Sequence, residues 1–206
     1  MYARSTTFQS DPARLDDGIA LVRDEVGPAL EQMQGCTGLS MITDRTSGRA
    51  VISTAWRDEQ ALRDSQPRVL SLRARGTEVF GVAPKVDIWE IAVLHRVHET
   101  MPGTCLRATW TRTDPWRAER SIENYRITLL PMMEELPGFC SASLFVDRAS
   151  GRAVSSVTYD SRDAMVSGRA LATSMRRTAV EENAVEVLEV VEFDVAIARL
   201  RVPETV

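Results

Sequence analysis

Two large aromatic residues at equivalent places in the chain are the first candidates for binding a ligand. Trp56 and Tyr159 lie 103 positions apart, and each ends a predicted strand. An indole N–H and a phenol O–H can both reach a ligand while the rings pack against apolar surface. The pair therefore predicts a substrate-binding wall, and core packing or helix anchoring is the alternative reading of the same two rings.

Histidine is the residue best suited to proton transfer near neutral pH, and the chain contains two, His95 and His98. Neither recurs in the second half, where Ile197 and Leu200 stand instead. A duplicated catalytic role is therefore excluded. His95 as the general base of a single site is our hypothesis for a catalytic residue, and a surface position beside a linker is the alternative.

These candidates sit in a chain that is duplicated at an offset of 103 residues. The run DRTSGRAVIS at 44–53 returns as DRASGRAVSS at 147–156, with eight of ten positions identical. The match weakens after Gln66 and resumes at an offset of 102. A period this long is a whole small domain rather than a solenoid unit of 20 to 50 residues.

Each copy predicts the element order β-α-β-β-α-β. Thr, Tyr, Phe and Trp indicate a first strand, and Asp11-Pro12 and Asp114-Pro115 then provide an N-cap with proline in the first helical turn. Gly35 and Gly138 are placed to end this helix. A hairpin, a second helix and a closing strand follow. The four strands of the first copy are expected at 2–8, 37–43, 50–56 and 86–94.

That order predicts an α+β fold of two tandem ferredoxin-like repeats, each with a four-stranded sheet and two helices on one face. An uncovered apolar sheet face would be a large sticky patch, so we expect the repeats to pack sheet to sheet, as an intramolecular barrel. The expected domains are residues 1–98 and 105–206, joined by a linker at 99–104. An exposed edge strand on each copy also predicts a homodimer.

Composition and charge argue against several classes of binding partner. The net charge is −4 and no basic tract stands out, so nucleic acid is not an expected partner. No apolar run is long enough to span a bilayer, so we expect no membrane partner and a cytoplasmic location. The cysteines form no CxxC pair, so we expect reduced thiols and no metal site; they are Cys36, Cys105 and Cys140.

The run STAWRDEQAL at 53–62, with Gly35-Cys36 and the hairpin before it, resembles a known family. It is similar to the antibiotic biosynthesis monooxygenase-like proteins of the dimeric α+β barrel superfamily, once per copy. The resemblance implies a cofactor-independent monooxygenase acting on a small aromatic or quinol-like substrate, with Trp56 matching a tryptophan near the pocket. A deprotonated aromatic can itself pass an electron to dioxygen, so such chemistry requires no cofactor.

Two other functions stay open. The first is a non-catalytic module that binds a small hydrophobic molecule or drives oligomerisation, because this fold carries several unrelated activities. The second is haem binding or degradation, which the resemblance connects with an axial histidine nine or ten residues after the strand tryptophan. Ser65 and Gln66 stand at those places, and Gly168 and Arg169 stand there in the second copy, so the sequence disfavours haem binding and degradation.

Overall fold

The computed structural model describes residues 1–200, apart from the side chains at 182, 183 and 200. It confirms the α+β class and the two-repeat architecture. The chain forms two compact units, and the boundaries between them fall inside the two closing strands. The first unit contains Met1–Trp89 and the strand segment from Asp194 onward, and the second contains Glu90–Phe193.

The strands follow the predicted order in both repeats. In the first repeat they are β1 (Tyr2–Gln9), β2 (Cys36–Asp44), β3 (Arg49–Trp56) and β4 (Lys85–Arg96). In the second they are β5 (Cys105–Arg112), β6 (Phe139–Asp147), β7 (Arg152–Tyr159) and β8 (Glu186–Leu200).

The long first helix of each repeat contains a π-helical turn. Helix α1 runs over Leu15–Leu21, the π-turn Val22–Val26 and Gly27–Glu31; α4 runs over Ala118–Asn124, the π-turn Tyr125–Leu129 and Leu130–Glu134. Pro28 and Pro131 lie just after these turns and have no N–H for the i−4 carbonyl, which explains the wider turn. The shorter helices are α2 (Glu59–Asp64), α3 (Gln66–Phe80), α5 (Arg162–Ser167) and α6 (Arg169–Asn183).

All strand pairs with a determined register are antiparallel. In the first unit, β1 pairs with β3 from Tyr2 opposite Trp56 to Gln9 opposite Arg49, and β3 pairs with β2. In the second unit, β5 and β6 pair with β7 in the same way. The hydrogen-bonded order is β1-β3-β2-β8-β5-β7-β6-β4, and it closes.

The closing strands β4 and β8 cover the sheet edges that the sequence predicted to be exposed. The last part of β8 pairs with β2, and the last part of β4 pairs with β6. The strands that a lone ferredoxin-like repeat would leave open are thus hydrogen-bonded in the described part of the chain. The open edge that motivated a homodimer is absent from that part, because each closing strand pairs on both of its sides.

The most strongly repeated residues form the β2–β3 turn and its counterpart. Asp44 accepts hydrogen bonds from the Thr46 N–H at 2.9 Å and from the Ser47 hydroxyl at 2.6 Å. Gly48 has a φ of 74°, and a Cβ there would lie 1.9 Å from the Ser10 carbonyl oxygen. The identities at 44–53 and 147–156 therefore satisfy the requirements of a turn.

Each repeat has its own apolar core between its sheet and its helices. Trp56 and Phe8 belong to the first core, and Tyr125 and Tyr159 belong to the second. Among the helices of residues 1–200, none combines the length and the apolar character that a bilayer crossing requires.

Candidate functional site

The second unit has a partly open cavity of about 120 Å³ between its sheet and helices α4 and α6. Its walls are mainly apolar, with Ile122, Leu129, Met133, Leu144 and Met175 among them. An engineered protein cavity of about 150 Å³ that is lined by Leu, Ile and Phe stays dry and binds benzene. The cavity therefore suits a molecule with a single aromatic ring.

Three positions that line this cavity differ in size from their equivalents in the first repeat. Thr111 on β5, Ser121 on α4 and Ala179 on α6 all face it. The residues 103 positions earlier are Phe8, Gly18 and Gly76. The first repeat therefore has a large ring where the second has a threonine, and glycines where the second has side chains.

In the first repeat the equivalent space is largely filled. The rings of Phe8 and Phe80 stack with centroids 4.2 Å apart and planes 20° from parallel. A Cβ at Gly18 would lie 2.2 Å from the Phe80 ring, and a Cβ at Gly76 would lie 2.8 Å from the Phe8 ring. The two glycines thus make room for the two rings, and a cavity of about 50 Å³ remains.

Arg107 brings a positive charge to the wall of the second cavity. Its side chain is 4% exposed, and its guanidinium lies over the Tyr159 ring, 5.5 Å from the centroid. It donates to the Tyr159 hydroxyl at 3.3 Å, to the Met165 carbonyl at 3.0 Å and to a Glu192 carboxylate oxygen at 2.9 Å. These contacts fix both the arginine and the phenol, so the two groups present one defined polar wall.

Glu192 is the counter-ion of this group. It accepts from Arg107, and Arg169 donates to both of its oxygens at 3.0 Å. Burial raises the pKa of the Glu192 carboxyl, but the hydrogen bonds from Arg107 and Arg169 outweigh burial and leave that pKa below its ordinary value. The carboxylate stays ionised and satisfies the buried guanidinium.

A second arginine, Arg176 on α6, also lines the cavity. Burial, and then the charge of Arg107, lower the pKa of Arg176. The charges of Tyr159 and Glu192 oppose this lowering in part. Burial raises the pKa of the Tyr159 phenol while Arg107 opposes that rise, so the phenol stays protonated and can donate its proton to an acceptor in the cavity.

Further polar groups reach the same cavity from α4 and from Thr113, which directly follows β5. The hydroxyls of Thr113 and Ser121 are buried, and neither has a hydrogen-bond partner among the described residues. The Tyr125 hydroxyl lies 3.2 Å from Ser155 Oγ, and burial raises its pKa strongly. A buried hydroxyl without a partner is costly, so Thr113 and Ser121 are suited to bind a polar group of a ligand.

The structure places the three sequence-predicted residues in different surroundings. Tyr159 lines the second cavity. Trp56 is fully buried in the first core, where its indole N–H donates to Thr54 Oγ1 at 3.0 Å. His95 lies on β4 with Nε2 2.7 Å from a Glu134 oxygen, and it is not among the residues that line the cavity. The structure does not bring His95 and Tyr159 together at one site.

Sequence reasoning missed the roles of Arg176 and Glu192, and it considered Arg107 only as one of several first-strand residues that could face a pocket. One signal was available, since Arg4 and Arg73 occur 103 positions before Arg107 and Arg176. An arginine pair kept in both repeats indicates a shared location. Its position at a cavity wall depends on which face of the strand and helix points inward, and coordinates are needed for that.

One group of potential metal ligands lies elsewhere in the second unit. The ligand atoms of His98, Cys140 and Asp160 are all within 4.8 Å of one another, and His98 Nε2 is 3.3 Å from Asp160 Oδ1. A tetrahedral zinc site uses such ligands. However, burial and then Asp160 raise the pKa of the Cys140 thiol, which opposes the thiolate that a metal needs.

Tandem ferredoxin-like repeats with a pocket between sheet and helices define a class of α+β barrel proteins. The family model described as "Antibiotic biosynthesis monooxygenase" matches residues 1–68. The chain is 48% identical to uncharacterized protein Rv2557 of Mycobacterium tuberculosis, over 100% of this chain and 92% of that protein. The chain belongs to the antibiotic biosynthesis monooxygenase-like family.

Solved structures show the same fold. A candidate monooxygenase from Fusobacterium nucleatum aligns with a TM-score of 0.74 at 12% identity, over 97% of this chain and 94% of that one. An anthrone oxidase-like protein aligns with a TM-score of 0.69 at 15% identity, over 97% and 93% of the two chains. At these identities the likeness concerns the fold and not the activity.

Proposed function

We propose that the second repeat binds a small phenol or quinol in its cavity and lets it react with dioxygen without a cofactor. The observation that carries the proposal is the apolar cavity of about 120 Å³ with Arg107 and Tyr159 fixed at its wall. The apolar walls take the ring, and the polar wall orients its oxygen.

The charge at the wall favours the deprotonated ligand. Arg107 and Arg176 both face the cavity, and Arg107 lowers the pKa of Arg176 by repulsion after the effect of burial. A phenolate between them relieves that repulsion, whereas a neutral phenol does not. Each unit by which the ligand pKa falls corresponds to about 1.4 kcal/mol of preference for the phenolate. The arginines thus supply an electrostatic alternative to a general base.

The phenolate then supplies the electrons. It transfers one electron to dioxygen, and the two radicals combine at a ring-activated carbon to form a C–O bond. At a ring C–H carbon the hydroperoxide so formed loses water and leaves C=O, so that a phenol and O₂ give a quinone and H₂O without an outside reductant. The protein contributes the orientation of the ring and the exclusion of water.

The comparisons support this proposal at the level of the family. The matching family model is named for monooxygenases, and one solved neighbour is an anthrone oxidase-like protein. The cavity of this chain favours a single ring over the three fused rings of an anthrone.

Oxygen uptake with single-ring quinols and phenols of graded acidity tests the proposal. We expect uptake to saturate with substrate and to increase for the more acidic phenols at a fixed pH. Arg176→Gln should lower uptake most for the least acidic phenols and so strengthen this dependence on acidity. Saturable binding without oxygen uptake for any member of the series would contradict catalysis.

The second candidate function is binding of a small hydrophobic molecule without catalysis. The low basicity of Asp147, at the cavity wall, favours this function. Asp147 is the carboxylate among the described lining residues, and a hydrogen bond from Ser150, with further ones from turn backbone N–H groups, holds its pKa below the ordinary value. Such a carboxylate is a weak base.

Haem binding is the third candidate, and a Soret shift on haem titration would support it. Ser65 and Gln66, at the expected axial-ligand places, instead accept from Arg4.

A further inference from the structure

The first repeat buries an arginine whose described partners are all neutral. Arg4 is 2% exposed and lines the remaining cavity of about 50 Å³. Its guanidinium donates to Ser65 Oγ at 3.0 Å, to the Leu62 carbonyl at 2.8 Å and to Gln66 Oε1 at 3.1 Å. These three acceptors solvate the charge without neutralising it.

A second arginine lines the same cavity. Arg73 on α3 has its Nε and one Nη buried without a hydrogen-bond partner among the described residues, and the Nε of Arg4 is in the same condition. Burial, followed by the charge of Arg73, lowers the pKa of Arg4 to about 10. Burial also lowers the pKa of Arg73. Two close cations with unused donors are costly unless an anion is present.

The arginine pair of the second repeat has a carboxylate partner, and the pair of the first repeat has none among its described hydrogen-bond partners. Arg107 and Arg176 are the equivalents of Arg4 and Arg73, and Arg107 is paired with Glu192 at 2.9 Å. The same arginine pair therefore has a carboxylate partner within the chain in one repeat and three neutral acceptors in the other. An external carboxylate in the first repeat would take the part that Glu192 takes in the second.

We infer that the first repeat binds a small monocarboxylate between Arg4 and Arg73. A carboxylate accepts from a guanidinium at two oxygens, so it can use the Nε of Arg4 and the free donors of Arg73. The rest of the wall is mainly apolar and includes Val22, Val26 and Ile52. That wall suits a short hydrocarbon body, and phosphate would bring more acceptors than the cavity has donors.

The size of the cavity limits the body of the acid to a few carbon atoms, because Phe8 and Phe80 occupy the space that is open in the second repeat. The site differs from the proposed oxidation site in its repeat, its size and its counter-ion. Failure of either proposal would leave the other intact.

The test is the thermal unfolding of the full chain with acetate, propionate or isobutyrate, at constant ionic strength set by NaCl. A ligand that binds only the folded state raises the Tm in a saturable way. We expect propionate or isobutyrate to raise the Tm, and propionamide or isobutyramide to leave it unchanged. The proposal is overturned if acid and amide act alike, or if phosphate gives the larger rise.

Two variants locate the site. Arg73→Gln should weaken the apparent affinity for the carboxylate at least tenfold, while the matched variant Arg176→Gln in the second repeat should retain it. Loss of the effect in Arg176→Gln alone would place the anion in the other cavity and refute the inference. If Arg73→Gln does not fold, Arg73→Lys serves instead, since it keeps the charge and removes the fork; unchanged affinity there would also count against the site.

Discussion

The Phe8 ring stacks on the Phe80 ring at 4.2 Å in the first repeat and occupies the place that is open in the second. Thr111 stands at the position equivalent to Phe8. The stacked rings of Phe8 and Phe80, with glycines at 18 and 76 to make room for them, separate the filled first core from the cavity of the second repeat. The duplicated fold thus holds two different sites.

Filling the second cavity should abolish binding of a phenol. We predict that Thr111→Phe combined with Ala179→Gly closes the cavity, since Phe8 in the first repeat requires Gly76 beneath its ring. Calorimetric titration with a single-ring phenol should show at least a tenfold loss of affinity. Ala179→Gly alone is the control and should still bind. Retained affinity in the double variant would show that the phenol binds elsewhere.

Removing the Phe8 ring from the first core should lower the free energy of unfolding. Phe8 is 1% exposed, so Phe8→Ala removes a buried ring and leaves a void; such changes cost about 3–5 kcal/mol in free energy of unfolding. Urea unfolding measures the loss. Benzene should restore part of it in the variant and have a smaller effect on the parent chain. A loss below about 1 kcal/mol would mean that the neighbouring side chains collapse into the void.

The fold could be predicted from the sequence because the repeat presents each signal twice. Asp11-Pro12, Gly35 and the turn at 44–49 act locally, and each recurs 103 positions later. The length of β4 and β8 could not be predicted in the same way. Whether a closing strand continues onto another sheet depends on pairing between distant segments, and local propensity does not encode that.

The site was predicted only in part. Tyr159 was found because a large ring at the end of a strand is visible in the sequence, and the structure places it at the cavity wall. The same reasoning selected Trp56, which is packed in the first core. Arg107 was considered with other first-strand residues but not chosen, because the sequence does not show which face of its strand points inward, and its partner Glu192 lies 85 positions away.

Removing the Tyr159 hydroxyl should slow oxidation. Tyr159→Phe deprives Arg107 of one acceptor and deprives the ligand of a donor. Hydrogen bonds to charged groups contribute about 1.5–3 kcal/mol, which corresponds to a roughly 10- to 100-fold fall in kcat/KM. Oxygen-electrode kinetics measure it. Trp56→Phe, the matched change in the first repeat, should leave kcat/KM within about twofold, and an equal fall in both variants would point to a general loss of folding.

The acid dependence of stability should report on Glu192. Its pKa is lowered in the folded protein, so it stabilises the fold above its unfolded pKa, and this contribution is lost as the pH falls through the folded pKa. We predict that Glu192→Gln is less stable than the parent by about 1–3 kcal/mol at pH 7, as for a hydrogen-bonded charge that is partly exposed. Urea unfolding at pH 7, 5 and 3 should show that the difference in stability between the variant and the parent shrinks only below about pH 4.5.

Glu135→Gln, at an exposed position of the same unit, is the control and should follow the parent. A difference that is constant with pH would mean that packing, and not the charge of Glu192, holds Arg107 in place.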